Sequence, residues 1–305
     1  MLGGGLPADG EVQIGAVLLP TGKRICAGTP AAGYNQGSGI AWMADQEAAA
    51  REYARAHPGV PLLWATDEQV PDVGRVWQEL HEMAPETGLQ PITLAFLGDT
   101  VLAMSDRDGL HGRPWDSGEL ADPYPVSAAA EVDTMALLTE CWEGRLGLED
   151  DPEQFAKVSP FSREFPGLAP ASDEPLSGAE LAAALRMMRP ARIGLVPASR
   201  PSDVLSKTGF KGFTNGFGTP AEFTAVLRTW EERFGAVVFE VGFADVRVLV
   251  MRPPRTRRAA DLVAAEICTM CNEFWPIERP GTALTTVQEI AGYVKDAPFW
   301  GFWWD

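Results

Sequence analysis

Few side chains in this sequence have the type and spacing that chemistry requires. Cys268-Thr-Met-Cys271 is the one CxxC; a redox or zinc role would need a second pair of ligands or a thioredoxin-like setting, and neither accompanies it. The remaining cysteines, Cys26 and Cys141, are scattered, so free thiols are expected and no metal site. His57, His81 and His111 form no HxH or HExxH spacing. A nucleophile with a histidine base would require distant segments to meet, and His111, in a long polar stretch, is the best placed of the three. Glycines at 209, 212, 216 and 218 are followed by no Lys-Ser/Thr pair, so they read as a loop and not as a phosphate cradle.

Arg252, Arg255, Arg257 and Arg258 are the one basic cluster. They open a helix whose dipole disfavours cations there, so they either pair with acids or bind a ligand. Glu266 and Asp305 are the weak candidates for a catalytic acid and base. Trp230, Arg233, Trp303 and Trp304 are the candidates for binding. Trp303 and Trp304 fall on opposite faces of a terminal strand, so one ring points away from whatever the other packs on. The outward ring, with Glu266 or Asp305 near it, is the best candidate for a binding surface.

These residues sit in a chain of 305, long enough to bury a core without metal or disulfide staples. Its net charge of −17 repels phosphate backbones and anionic membranes, which excludes nucleic acid as the expected partner and leaves a basic protein as the partner it would attract. No stretch approaches the roughly 18 apolar residues of a membrane span, and the start lacks the basic and apolar regions of a signal peptide. A cytoplasmic protein without cofactor is expected; its oligomeric state is left open. Ten tryptophans provide unusually large aromatic surface, most of it expected in the core or at an interface.

The elements that must position these residues follow from periodicity. Residues 1–148 read as a mixed α/β domain. Val12 to Leu19 and Arg24 to Ala27 flank a turn at Pro20-Thr-Gly-Lys. A helix covers about Asp45 to Ala56, and a strand Pro61 to Thr66. Val73, Val76, Trp77, Leu80 and Ala84 mark a helix stopped by Gly88. Two apolar runs, 92–97 and 100–104, turn at Gly98-Asp99. In a later helix Val132, Met135, Leu138, Trp142 and Leu146 share a face. Residues 149–176 form an acidic, Pro-rich linker without sustained periodicity, packed along the surface through its phenylalanines.

Residues 177–305 read as a second domain. Ser177 and Glu180 form a capping box for a helix ended by Pro190, and Arg192 to Pro197 is a strand. Thr219-Pro-Ala-Glu222 opens a helix with Phe223, Val226, Leu227, Trp230 and Phe234 on one face, closed by Gly235. Val237 to Phe243 and Val246 to Met251 alternate as a hairpin. Thr256 caps a helix with Ala259, Val263, Ile267, Met270 and Phe274 on its buried stripe, and another helix carries Val287, Ile290, Ala291 and Val294. Phe299 to Asp305 is too aromatic to be a frayed tail. The order strand, helix, strand, strand, helix, helix, strand predicts an α+β protein whose C-terminal domain is ferredoxin-like, a split βαβ plan with one extra helix.

Residues from about Ala191 to Asp305 resemble the bacterial family called domain of unknown function 4253. The likeness rests on Arg192-Ile-Gly-Leu-Val-Pro-Ala198, Leu227-Arg-Thr-Trp-Glu-Glu-Arg-Phe-Gly235, Arg252-Pro-Pro-Arg-Thr256, Ala264-Ala-Glu266 and Phe302-Trp-Trp-Asp305. Trp115 to Leu120 and Phe165-Pro-Gly-Leu-Ala-Pro170 resemble the long actinobacterial members. Members of the family usually carry a His after the helix Glu and a Cys-Pro-Asp beyond it. Here Ile267 and Cys271-Asn-Glu273 stand in those places, so no His-dependent chemistry carries over.

Two functions are therefore expected to compete. One is a non-enzymatic binding module that docks on or neutralises a basic partner such as a toxin. The other is a hydrolase-like enzyme that uses Glu266 and Asp305 in a cleft between the halves.

Overall fold

A computed structural model describes residues 5–26, 61–94, 125–146, 152–210, 212–213, 218–242, 245–271, 273–276 and 282–304. The expected helix at Asp45 to Ala56, most of the 92–104 hairpin, His57, His111 and Asp305 lie outside the described residues. The chain divides into two compact units, each assembled from separate stretches: Met1–Val126, Leu185–Gly212 and Val238–Ala244 in one, and Ser127–Ala184, Phe213–Val237 and Asp245–Asp305 in the other.

In the first unit, strand β1 (Gly10–Ile14) turns directly into β2 (Val17–Cys26). The turn is at Gly15, whose φ of +54° a side chain would resist, and not at Pro20-Thr-Gly-Lys as expected. Pro20 instead lies inside β2, where the register shifts between Gly10 and Val12, so an irregularity in the ladder accommodates its missing N–H. β2 continues antiparallel to β3 (Pro61–Thr66).

Helix α1 (Val73–Thr87) buries Val73, Val76, Trp77, Leu80 and Ala84, and Gly88 closes it in the left-handed conformation, as its periodicity predicts. The Trp77 indole donates to the Pro91 carbonyl at 2.9 Å, tying α1 to β4 (Leu89–Leu94). β4 runs antiparallel to β5 (Arg192–Pro197) and parallel to β6 (Ala236–Val241). A single 3-10 turn at Pro201–Asp203 leads from β5 into α6 (Val204–Thr208). The strand order in this part is β1-β2-β3-β5-β4-β6.

The second unit begins with α2 (Val126–Ala130) and α3 (Thr134–Leu146). In α3 Leu138, Trp142 and Leu146 are buried, whereas Met135, in the first turn of the expected stripe, is 43% exposed. The expected linker contains a helix, α4 (Pro152–Val158), too short for periodicity to reveal. Beyond it, residues 161–177 carry neither helix nor strand. α5 (Gly178–Met187) opens with the expected Ser177–Glu180 box, and α7 (Pro220–Phe234) with the Thr219–Glu222 box.

β7 (Asp245–Val250) leads to α8 (Arg257–Met270), capped by Thr256. This helix is buried continuously from Ala260 to Met270, more than the single stripe the periodicity implies. It packs on α3 and on α9 (Val287–Val294). β8 (Glu273–Phe274) and β9 (Phe299–Trp303) complete the unit in the order β7-β9-β8, all antiparallel.

The protein is α+β, but the last strand does not follow the ferredoxin-like plan. There β9 would lie beside β5. Instead both edges of β5 are taken by β3 and β4, and β9 pairs with β7 and β8. Strands from the first half of the sequence supply the neighbours of β5, a non-local pairing that element order does not encode.

The core of the second unit is aromatic. Trp230 meets Trp300 edge-on at 5.3 Å and stacks with Phe302 at 5.5 Å, while Phe223 lies edge-on to Trp304 at 5.2 Å. The face of α7 that the sequence marks as apolar is thus covered by β9 and the residue after it. Each such ring contributes about 1.5–3 kcal/mol by burial.

Candidate functional site

Glu266 is the one carboxylate in the unbroken buried stretch of α8 that has no solvent exposure at all. A bare charge there would be prohibitive, so its partners decide what it does. α7 supplies two of them from one face, because Trp230 and Arg233 are three residues apart. The Trp230 indole donates to Oε2 at 2.7 Å. Arg233 grips the carboxylate with both arms, Nη1 to Oε1 at 2.7 Å and Nη2 to Oε2 at 2.6 Å. The fourth donor is the backbone N–H of Ala169, 2.7 Å from Oε1.

Arg233 is used as completely. Nε donates to the Thr229 carbonyl, Nη2 also to the Thr229 hydroxyl, and Nη1 also to the Ala169 carbonyl at 2.8 Å. All five N–H bonds of the guanidinium are spent. The Glu266–Arg233 pair therefore receives both main-chain polar groups of one residue, taking the N–H of Ala169 on the carboxylate and its C=O on the guanidinium. A buried pair so fully hydrogen-bonded is a fixed joint between α7 and α8, and the 161–177 segment is seated on it through Ala169. Each oxygen of Glu266 accepts two hydrogen bonds, one of them from Arg233.

The binding candidates separate by strand alternation. Trp304 is buried, donating from its indole to the Met270 carbonyl at 2.8 Å. Trp303 faces the other way, partly exposed, tilted against the partly exposed Trp275 at 6.2 Å. The backbone between them is close: Trp275 N–H donates to the Gly301 carbonyl, and a Cβ on Gly301 would come within 2.3 Å of the Trp275 carbonyl. Only glycine allows β9 to approach that segment. The Cys271 thiol donates to the Trp303 carbonyl at 2.9 Å and fixes the other end of the strand.

The basic cluster is engaged. Arg255 lies 3.3 Å from Asp296, 3.5 Å from Glu180 and 3.9 Å from Glu174; Arg257 pairs with Asp261 at 2.7 Å; Arg252 donates to the Glu232 carbonyl. The Arg258 guanidinium lies over the Phe161 ring. Cys268 and Cys271 are both buried, and burial pushes the Cys268 thiol up to about 11. His81 stacks on Trp77 at 4.9 Å. Among the described residues no group of three His, Cys, Asp or Glu side chains is placed to hold a metal, and no helix is long and apolar enough to cross a membrane.

The sequence singles out Trp230, Arg233 and Glu266 separately but does not join them. The i, i+3 spacing of Trp230 and Arg233 is the available signal. Ala169 gives none, because it contributes only its main chain.

Residues 192–305 match the family model described as Domain of unknown function (DUF4253), and this C-terminal part of the chain belongs to that family. Neither the comparison with curated proteins nor that with solved structures returns a match.

Proposed function

We propose that this chain, whose C-terminal part belongs to that family, is a non-enzymatic, cytoplasmic protein-binding module of the long actinobacterial type that docks on a basic partner, such as a toxin it neutralises. The observation that carries this reading is the partly exposed Trp303–Trp275 pair on a protein of net charge −17. Paired aromatic rings supply the anchor that protein interfaces use most, and the acidic field steers a cationic partner towards it. The occupied carboxylate of Glu266 supports binding over the alternative of a carboxylate-dependent enzyme.

The test is affinity purification from the native host with mass spectrometry, using the parent chain and Trp303→Ala side by side. A basic protein should be enriched on the parent, reduced on the variant, and released when ionic strength shortens the Debye length from about 10 Å to about 3 Å. Equal recovery on both chains, or a partner that is acidic and indifferent to salt, would refute the reading.

A further inference from the structure

We infer that residues 165–176 are a latch, a strap seated in the peptide receptor formed by Arg233 and Glu266, which opens while α7, α8 and β9 stay folded. The strap has no helix or strand, and within it only Ala169 and Leu176 are buried. Its attachment is a short row of polar contacts. Ala169 is held through both its N–H and C=O. Ser172 N–H donates to the Arg233 carbonyl at 3.0 Å and its hydroxyl to the Pro253 carbonyl at 2.9 Å. Leu176 N–H donates to the Met251 carbonyl at 2.7 Å. A segment with so little buried apolar surface belongs to the low-stability end of a fold.

Three further features make opening easy to reverse. When Ala169 leaves, Glu266 keeps Trp230 and both arms of Arg233, so no charge is left bare. The Arg233 side chain is already 14% exposed, so water can replace the Ala169 carbonyl. Pro166, Pro170 and Pro175 keep the released strap extended, which lowers the entropy lost on reclosing. Opening leaves a carboxylate acceptor beside a guanidinium donor, the two groups that take back the N–H and C=O of Ala169 on reclosing.

Hydrogen exchange on the full chain tests this. The amides of Ala169, Ser172 and Leu176 should be protected about a hundredfold less than those of Ala264 and Ile267, and their exchange should be insensitive to low denaturant, as local opening requires. Ala169→Pro, which deletes the N–H seen by Glu266, should speed exchange at Ser172 and Leu176 by about tenfold while leaving Ala264 and Ile267 unchanged. Ser172→Ala should act in the same direction without altering the backbone. Protection at Ala169 equal to that at Ile267 would overturn the proposal, as would either variant accelerating the α8 amides as much as the strap.

Discussion

The Trp230 indole nitrogen lies 2.7 Å from Oε2 of Glu266, a donor and an acceptor from two helices meeting where neither residue has any solvent exposure. The contact belongs to a set centred on the buried Glu266–Arg233 charge pair, and removing either charge leaves the other without its partner.

Glu266→Gln should therefore be far more damaging than its small change in shape suggests. The amide NH2 would face a donor, and Arg233 would lose its counter-charge while still mostly buried. A loss of about 3 kcal/mol is expected, measured by urea unfolding followed through tryptophan fluorescence. A loss under about 1 kcal/mol would mean that the joint contributes little to folding.

Deleting residues 299–305 removes β9, and with it the strand that pairs both β7 and β8 and the rings that cover Trp230 and Phe223. Several large side chains lose ~1.5–3 kcal/mol of burial each, comparable in sum with the stability of a domain. The shortened protein should be insoluble or molten. A cooperative transition at the parent's melting temperature would contradict the role given to β9.

Helix α9 starts with a capping box in which Glu289 accepts from the Thr286 hydroxyl at 2.9 Å and from the Thr286 and Thr285 amides, while its own N–H donates to the Thr286 hydroxyl. The Thr286 side chain, more than the amides, holds the Glu289 carboxyl below its ordinary value of 4.5. A depressed folded-state value means that the stabilisation is complete above pH 4.5 and disappears as pH falls through the lowered value. Thr286→Ala should cost about 1 kcal/mol near neutrality. Urea titrations at successively lower pH should show the gap from the parent narrowing once the solution drops below the ordinary glutamate value; a gap that widens in acid would reverse the assignment.

Cys268 should resist thiol reagents in the folded protein. With its thiol raised to about 11 and its surface buried, almost no thiolate is present or reachable near pH 8. Iodoacetamide labelling read by peptide mass spectrometry should mark Cys268 only after denaturant is added. Rapid native labelling would show that α8 is not buried as described.

What the sequence reveals here is mostly local. The boxes at Ser177 and Thr219, the cap at Thr256 and the stops at Gly88 and Gly235 depend on neighbours a few residues apart, and each forms where it was expected. The hairpin at Gly15 is masked because Pro-Thr-Gly is the stronger turn signal, and the bulge that absorbs Pro20 depends on β1. The neighbours of β5 were out of reach because pairing between distant strands leaves no local periodicity. At the candidate site Trp230, Arg233 and Glu266 each stand out by residue type, but their convergence requires the packing of α7 on α8. Ala169 was invisible, since a main-chain contact has no residue type to announce it.

The two neighbours of β5, Pro61–Thr66 and Leu89–Leu94, both precede the residues that match the family. A fragment cut at residue 192 would begin with a buried, apolar strand stripped of hydrogen-bonding partners on both sides, and such a strand recruits another chain to replace them. For this protein the edge of family likeness is not a place where the polypeptide can be divided. Expression of residues 192–305 alone should give aggregates, because β5 would lack both of the strands that pair with it.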